Sequence, residues 1–151
     1  MKKIVSKMAT AGLLIACLSL FSFDRLPGGD SFQVYLNGKL VLDKALYKSK
    51  EIQNLEFVQA SANDKVEIYY SHCGQKGTNR SITAKDEHQK VLKTWRFADE
   101  GKYMSIQLSA LNSLQTNNKT DKIGLYYSSK ELSAGQELVL VSVGNKSVVA
   151  R

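Results

Sequence analysis

Two adjacent residues with reactive side chains, His72 and Cys73, open a loop running to Asn79 that carries Gly74 and Gly77. Cys73 is the only cysteine after an apolar N-terminal segment, so the remainder of the chain cannot form an internal disulfide. Three chemistries fit it. A thiolate is a nucleophile, and the neighbouring His72, Lys76 and Arg80 would favour that form. A lone thiol in an exported protein also suits a disulfide to another chain. The plain reading, which is preferred, is a small buried hydrophobe at a strand end.

Other site chemistry is thinner. On a regular strand His72 and Cys73 would point to opposite faces. His88 is the only other histidine. Met104 would add a soft ligand for Cu(I), but structural zinc wants about four Cys or His ligands. No metal or other cofactor is expected. A Cys73 nucleophile paired with His72 or His88 needs an orienting third group, for which Asp86 and Glu87 are at hand. No nucleophile-elbow, zinc-helix or phosphate-loop motif is present. Paired carboxylates of the glycosidase kind stay open, because any two acidic residues can meet in space. The balance leans away from an enzyme.

Two tyrosine pairs, Tyr69-Tyr70 and Tyr126-Tyr127, must each put one ring on either face of a strand. One ring of each then packs inside. Two outward rings on one sheet would make a platform for a sugar or a partner protein, although tyrosine on an ordinary sheet face is the commoner case. The expected contact surface is His72, Cys73, Arg80, Tyr69 and Tyr126.

These residues need strands to hold them. Lys65 to Asp86 reads as strand, loop, strand. Period-two alternation dominates from Ser31 onward. Strands are predicted at 31–36 and 39–43 around Asn37-Gly38, a strong hairpin signal because a type I′ turn needs positive φ twice. Further strands fall at 54–58, 65–71, 80–85 and 91–97, with Trp95 as the core anchor. Others follow at 104–108, 123–127 and 138–143. Ser109 is expected to cap one short helical turn through Leu114, and Gln115 to Thr120 reads as a polar loop. About nine short strands with almost no helix indicate an all-β fold, an antiparallel two-sheet sandwich of immunoglobulin-like or jelly-roll-like kind. Strand order stays open. Asp64 to Ser71 echoes Asp121 to Ser128, with five of eight positions identical.

The N-terminus carries an address. Lys2, Lys3 and Lys7 precede Ala9 to Phe23, fifteen residues free of charge. That is a signal-peptide pattern, too short for the roughly 20 residues of a spanning helix. Leu14-Ile15-Ala16-Cys17 matches a lipoprotein box with Cys17 as the lipidated residue. Cleavage near Ser22 would instead release a soluble protein, and this is preferred because Leu18 to Phe23 stays apolar. The division is then 1–23 signal peptide, 24–30 linker, 31–144 sandwich and 145–151 tail. Without the three leading lysines the formal charge falls from +7 to +4, and the remaining lysines are scattered. That argues against nucleic acid, which needs a concentrated basic patch.

Three segments carry a resemblance: Tyr35-Leu36-Asn37-Gly38-Lys39, Tyr70-Ser71-His72-Cys73-Gly74 and Trp95-Arg96-Phe97-Ala98-Asp99. Through them the span from Ser31 to Gly144 resembles a group of short exported Gram-negative bacterial proteins of unknown function. The resemblance implies export and no particular chemistry. The expected role is a non-catalytic binding or assembly module of the periplasm or cell surface, with a protein or glycan partner. It would touch the membrane only through its signal peptide or a lipid anchor. The alternative is a thiol- or metal-dependent activity centred on Cys73 with His72.

Overall fold

The structure is a computed structural model and describes residues 29–59 and 61–145. The signal segment, Cys17, the linker up to residue 28 and the tail from residue 146 lie outside the described residues. Nine strands and one helix follow in order: β1 (Ser31–Leu36), β2 (Lys39–Ala45), β3 (Gln53–Gln59), β4 (Lys65–Ser71), β5 (Ser81–Lys85), β6 (Val91–Arg96), β7 (Met104–Gln107), α1 (Leu108–Asn118), β8 (Ile123–Ser128) and β9 (Gln136–Asn145). They build a two-sheet sandwich. Sheet A has the order β2-β1-β4-β7 and sheet B the order β3-β9-β8-β5-β6. Among the described residues no helix is long and apolar enough to cross a membrane.

The β1–β2 hairpin turns on Asn37 (φ 51°) and Gly38 (φ 78°), the left-handed pair that Asn-Gly supplies. Alternation then buries Phe32, Val34, Val66, Ile68, Tyr70, Ile82, Leu125 and Tyr127 between the sheets. At roughly 25 cal/mol per Å² of apolar area, such burial is the main stabilising term.

Three expectations need correction. The sandwich is not wholly antiparallel, because β3 runs parallel to β9. Trp95 is not the core anchor. It lies on β6, an edge strand, half-buried at the rim with the Lys93 ammonium 5.2 Å from its ring centre. The helix is longer than one turn, and Ser109 does not cap it. Gln107 holds the cap position without a side-chain bond, and β7 leads straight into the helix, whose Leu108 N–H donates to the Asp64 carbonyl at 2.8 Å. Leu108 and Leu111 are buried and Leu114 packs on the core, so the apolar face holds the polar Gln115 to Asn118 stretch in helix as well. There Gln115 Oε1 accepts the Val143 N–H of β9 at 2.9 Å.

The two halves of the chain repeat one pairing scheme. In sheet A, β1 meets β4 as Ser31 with Ser71, Phe32 with Tyr70, Gln33 with Tyr69 and Val34 with Ile68. In sheet B, β5 meets β8 as Ser81 with Ser128, Ile82 with Tyr127, Thr83 with Tyr126 and Ala84 with Leu125. Both outer hairpins are irregular at the same point, between Val34 and Tyr35 and between Ala84 and Lys85. Val41 and Leu92 are the extra residues there. Bulges on edge strands β2 and β6 disfavour pairing with a further strand. The echoed segments are thus matching central strands of opposite sheets.

Candidate functional site

β4 ends in a tight hairpin. His72 and Gln75 exchange backbone bonds, at 2.6 Å from the His72 N–H and 3.0 Å from the Gln75 N–H. Between them Cys73 (φ 50°) and Gly74 (φ 92°) both take left-handed backbone. A two-residue turn places its central side chain at the tip, so Cys73 is exposed rather than buried. The preferred sequence reading of this thiol is overturned.

His72 faces the other way, into the sandwich end. Its Nδ1 lies 3.1 Å from Asp30 Oδ2, and its Nε2 lies 3.1 Å from the Tyr127 hydroxyl and 3.2 Å from Ser129 Oγ. The Tyr70 hydroxyl donates to the same Asp30 oxygen at 2.8 Å. Facing a carboxylate, which can only accept, Nδ1 donates, while Nε2 meets the two hydroxyls. Burial lifts the Tyr70 hydroxyl pKa well above the usual range, helped by the Asp30 bond and charge. Burial also lifts that of Tyr127, which the Ser129 bond partly offsets. Asp30 belongs to this site and not to a free linker.

Asp30, His72 and Ser129 stand in the carboxylate, imidazole, hydroxyl order that activates a serine for acyl transfer. The surroundings oppose that chemistry. Ser129 is 6% exposed, and Tyr127 shares Nε2. The Gly77 backbone packs against this pair: a Cβ there would collide with the Tyr127 hydroxyl and sit 2.8 Å from Ser129 Cβ. The group joins β4 of sheet A to β8 of sheet B as a clasp.

Its cover is tied down as well. The Thr78 N–H and hydroxyl donate to the Glu131 carboxylate at 2.9 and 2.8 Å. These bonds hold the Glu131 pKa down at about 2. Arg80, expected on the contact surface, is 1% exposed and lies inside. Its guanidinium donates to the carbonyls of Ala98, Gly101 and Lys102 at 2.6, 2.6 and 3.1 Å and fixes the link from β6 to β7. Lys76 donates to the Asp99 carbonyl in the same link. Asp86 Oδ1 accepts the His88 and Lys90 N–H groups in the β5–β6 turn and so shapes that turn. Among the described residues no group of three or more His, Cys, Asp or Glu side chains is placed to hold a metal ion.

The tyrosine pairs divide as their strands require, with Tyr70 and Tyr127 inside and Tyr69 and Tyr126 facing out. They face out of different sheets, so they cannot share one platform. On sheet A it is Tyr103, just before β7, that joins the Tyr69 ring of β4 to the Tyr35 ring of β1. Tyr103 lies 5.2 Å from Tyr35 and 6.3 Å from Tyr69, edge to face in both pairs. The Lys102 ammonium lies 5.2 Å from the Tyr69 ring centre and 5.0 Å from that of Tyr103. Bonding to the Tyr103 hydroxyl raises the Lys102 pKa, and burial with the Tyr103 contact raises that of Tyr35. The Tyr35 hydroxyl donates to Gln33 Oε1 at 2.8 Å, and Gln33 Nε2 donates to Asp43 at 2.9 Å.

On sheet B, Tyr126 has no such ring neighbours among the described residues. Lys85 lies 4.1 Å from its ring centre, and its hydroxyl donates to Gln89 at 2.8 Å.

Sequence reasoning missed Asp30, Tyr35, Tyr103 and Ser129. Ser129 had a signal: it follows the echoed segment as His72 follows its counterpart. Compared with protein-family models, curated proteins and solved structures, the chain matches none.

Proposed function

We propose that this chain is an exported, non-catalytic binding or assembly module of the periplasm or cell surface, and that the outer face of sheet A is its contact surface. One observation carries the reading. Tyr35, Tyr69 and Tyr103 form a ring cluster on a sheet face turned away from the core, with Tyr103 36% exposed. Tyrosine suits recognition because a large amphipathic ring is held at little entropic cost. Here the rings also hold one another. The export part rests on the basic start and apolar run of the first 23 residues. Membrane contact would pass through that segment, or through lipid on Cys17.

The rival is thiol-dependent activity at Cys73, and the exposed thiol favours it. His72 does not assist it, since both ring nitrogens face other partners.

Hydroxyl-radical footprinting of the protein bound to its host's envelope fraction tests the reading. Tyr35, Tyr69 and Tyr103 should be protected and Tyr126 should not. Equal labelling of all four, bound and free, removes sheet A as the contact surface.

A further inference from the structure

We propose that the occupant of this face is a neutral, hydroxyl-rich glycan, an inference that rests on the contact-surface reading above. The charge pattern leads to it. Each ionic group mapped onto the face already has a local partner. Lys65 pairs with Glu67 at 2.9 Å. Asp43 accepts from Gln33, and Lys102 sits against two rings. Asp43 and Lys102 keep their charges, since an amide and aromatic rings do not neutralise them, but Lys65 and Lys102 balance Glu67 and Asp43, so the face carries no net charge to steer an anionic or cationic ligand.

What the face does present is ring surface bordered by hydrogen-bonding groups. The Tyr35 hydroxyl, Gln33 amide and Asp43 carboxylate form one chain, and Ser105 Oγ donates to Glu67 Oε1 at 3.2 Å beside it. A pyranose is complementary to both parts. Its axial C–H face packs on an aromatic ring, and its equatorial hydroxyls both donate and accept. A protein hot spot would instead need a dry apolar centre. Of the exposed apolar side chains of this sheet, Leu40 stands opposite Tyr35 and Val41 is the bulged residue next to it, both on the edge strand β2, so they border the rings at one side and do not form a centre.

Native gel electrophoresis through dextran, hydroxyethylcellulose, xylan and galactomannan, with alginate as the charged control, decides the matter. At least one neutral polymer should retard the protein, and the retardation should persist in salt of about 0.5 M, where exposed ionic attraction is screened. Tyr69→Ala with Tyr103→Ala should weaken it about tenfold or more, and Tyr126→Ala should leave it unchanged. Tyr103→Ala alone, at an exposed position, guards against a folding defect and should give a smaller loss in the same direction. Retardation by alginate only, or retardation indifferent to these variants, overturns the proposal. Silence in all four neutral gels while the envelope footprint persists also overturns it, and points to a protein partner with the contact surface intact. Silence in both assays removes the glycan and the contact surface together.

Discussion

The rings of Tyr70 and Tyr127 stack across the sandwich with centroids 4.0 Å apart and planes 10° from parallel. They are matching residues of the two repeated half-chains, each central in its own sheet. Their hydroxyls both end in the clasp around His72, Tyr70 through Asp30 and Tyr127 directly. Aromatic packing and polar pairing thus join the sheets at one place, and the hairpin bearing Cys73 grows from it.

Removing His72 should loosen this end. His72→Ala takes one partner from the Asp30 carboxylate and one from the Tyr127 and Ser129 hydroxyls, at an expected cost of about 1–3 kcal/mol in urea unfolding. A double-mutant cycle with Asp30→Asn should show coupling of about 0.5 kcal/mol or more. Additive losses would mean the two side chains act independently.

Gly77 and Gly38 should resist substitution for different reasons. At Gly77 the obstacle is contact: a Cβ would meet Tyr127, Ser129 and Glu131, and Gly77→Ala should cost about 1–3 kcal/mol. At Gly38 the space is open but φ is +78°, so Gly38→Ala should cost about 1–2 kcal/mol through backbone strain. Asparagine tolerates that backbone, so Gly38→Asn should recover most of the loss in thermal unfolding, whereas Gly77→Asn should be worse than Gly77→Ala. The opposite order would contradict both assignments.

Glu131 should make stability sensitive to acid. Its folded pKa is lowered from 4.5 to about 2 by the Thr78 bonds. A depressed carboxylate stabilises the fold above its unfolded pKa, and that stabilisation is lost as pH falls toward the folded value. Urea midpoints measured from pH 6 downward, a range set to bracket the roughly 4.3 of a free glutamate, should therefore fall more steeply for the wild type than for Glu131→Gln. Parallel curves would mean that the Thr78 bonds do not form in solution.

Cys73 should be replaceable and reachable. Cys73→Ser should change stability by no more than about 0.5 kcal/mol, as an exposed substitution does. In a Cys17→Ser background the folded protein should react with a thiol reagent as fast as an unfolded control. A thiol that reacts only after unfolding would contradict the exposed hairpin tip.

The strands were legible because each carries its own period-two pattern, and Asn37-Gly38 marked its turn unaided. The clasp and the ring cluster were not, because both depend on strand order. Tyr35 and Tyr103 join Tyr69 only once β1 and β7 are known to flank β4. Asp30 looked like linker beside Gly28 and Gly29, and its role appears only when the ends of β1, β4 and β8 come together. Trp95 misled for the same reason: a tryptophan with alternating neighbours reads as core until its strand proves to be an edge. Arg80 read as surface because arginine usually is. The helix past Leu114 was hidden by polar composition, which β9 offsets from outside the segment.

The most direct test of the contact surface is the affinity of the purified protein for its host's envelope fraction, measured for wild type, Tyr69→Ala with Tyr103→Ala, and Tyr126→Ala, with thermal unfolding recorded alongside. The expected result is a loss of about tenfold or more for the sheet A double variant, about 1.4 kcal/mol, and a change within about twofold for Tyr126→Ala, all three remaining folded. Equal affinities for the double variant and the wild type, or a loss confined to Tyr126→Ala, would contradict it.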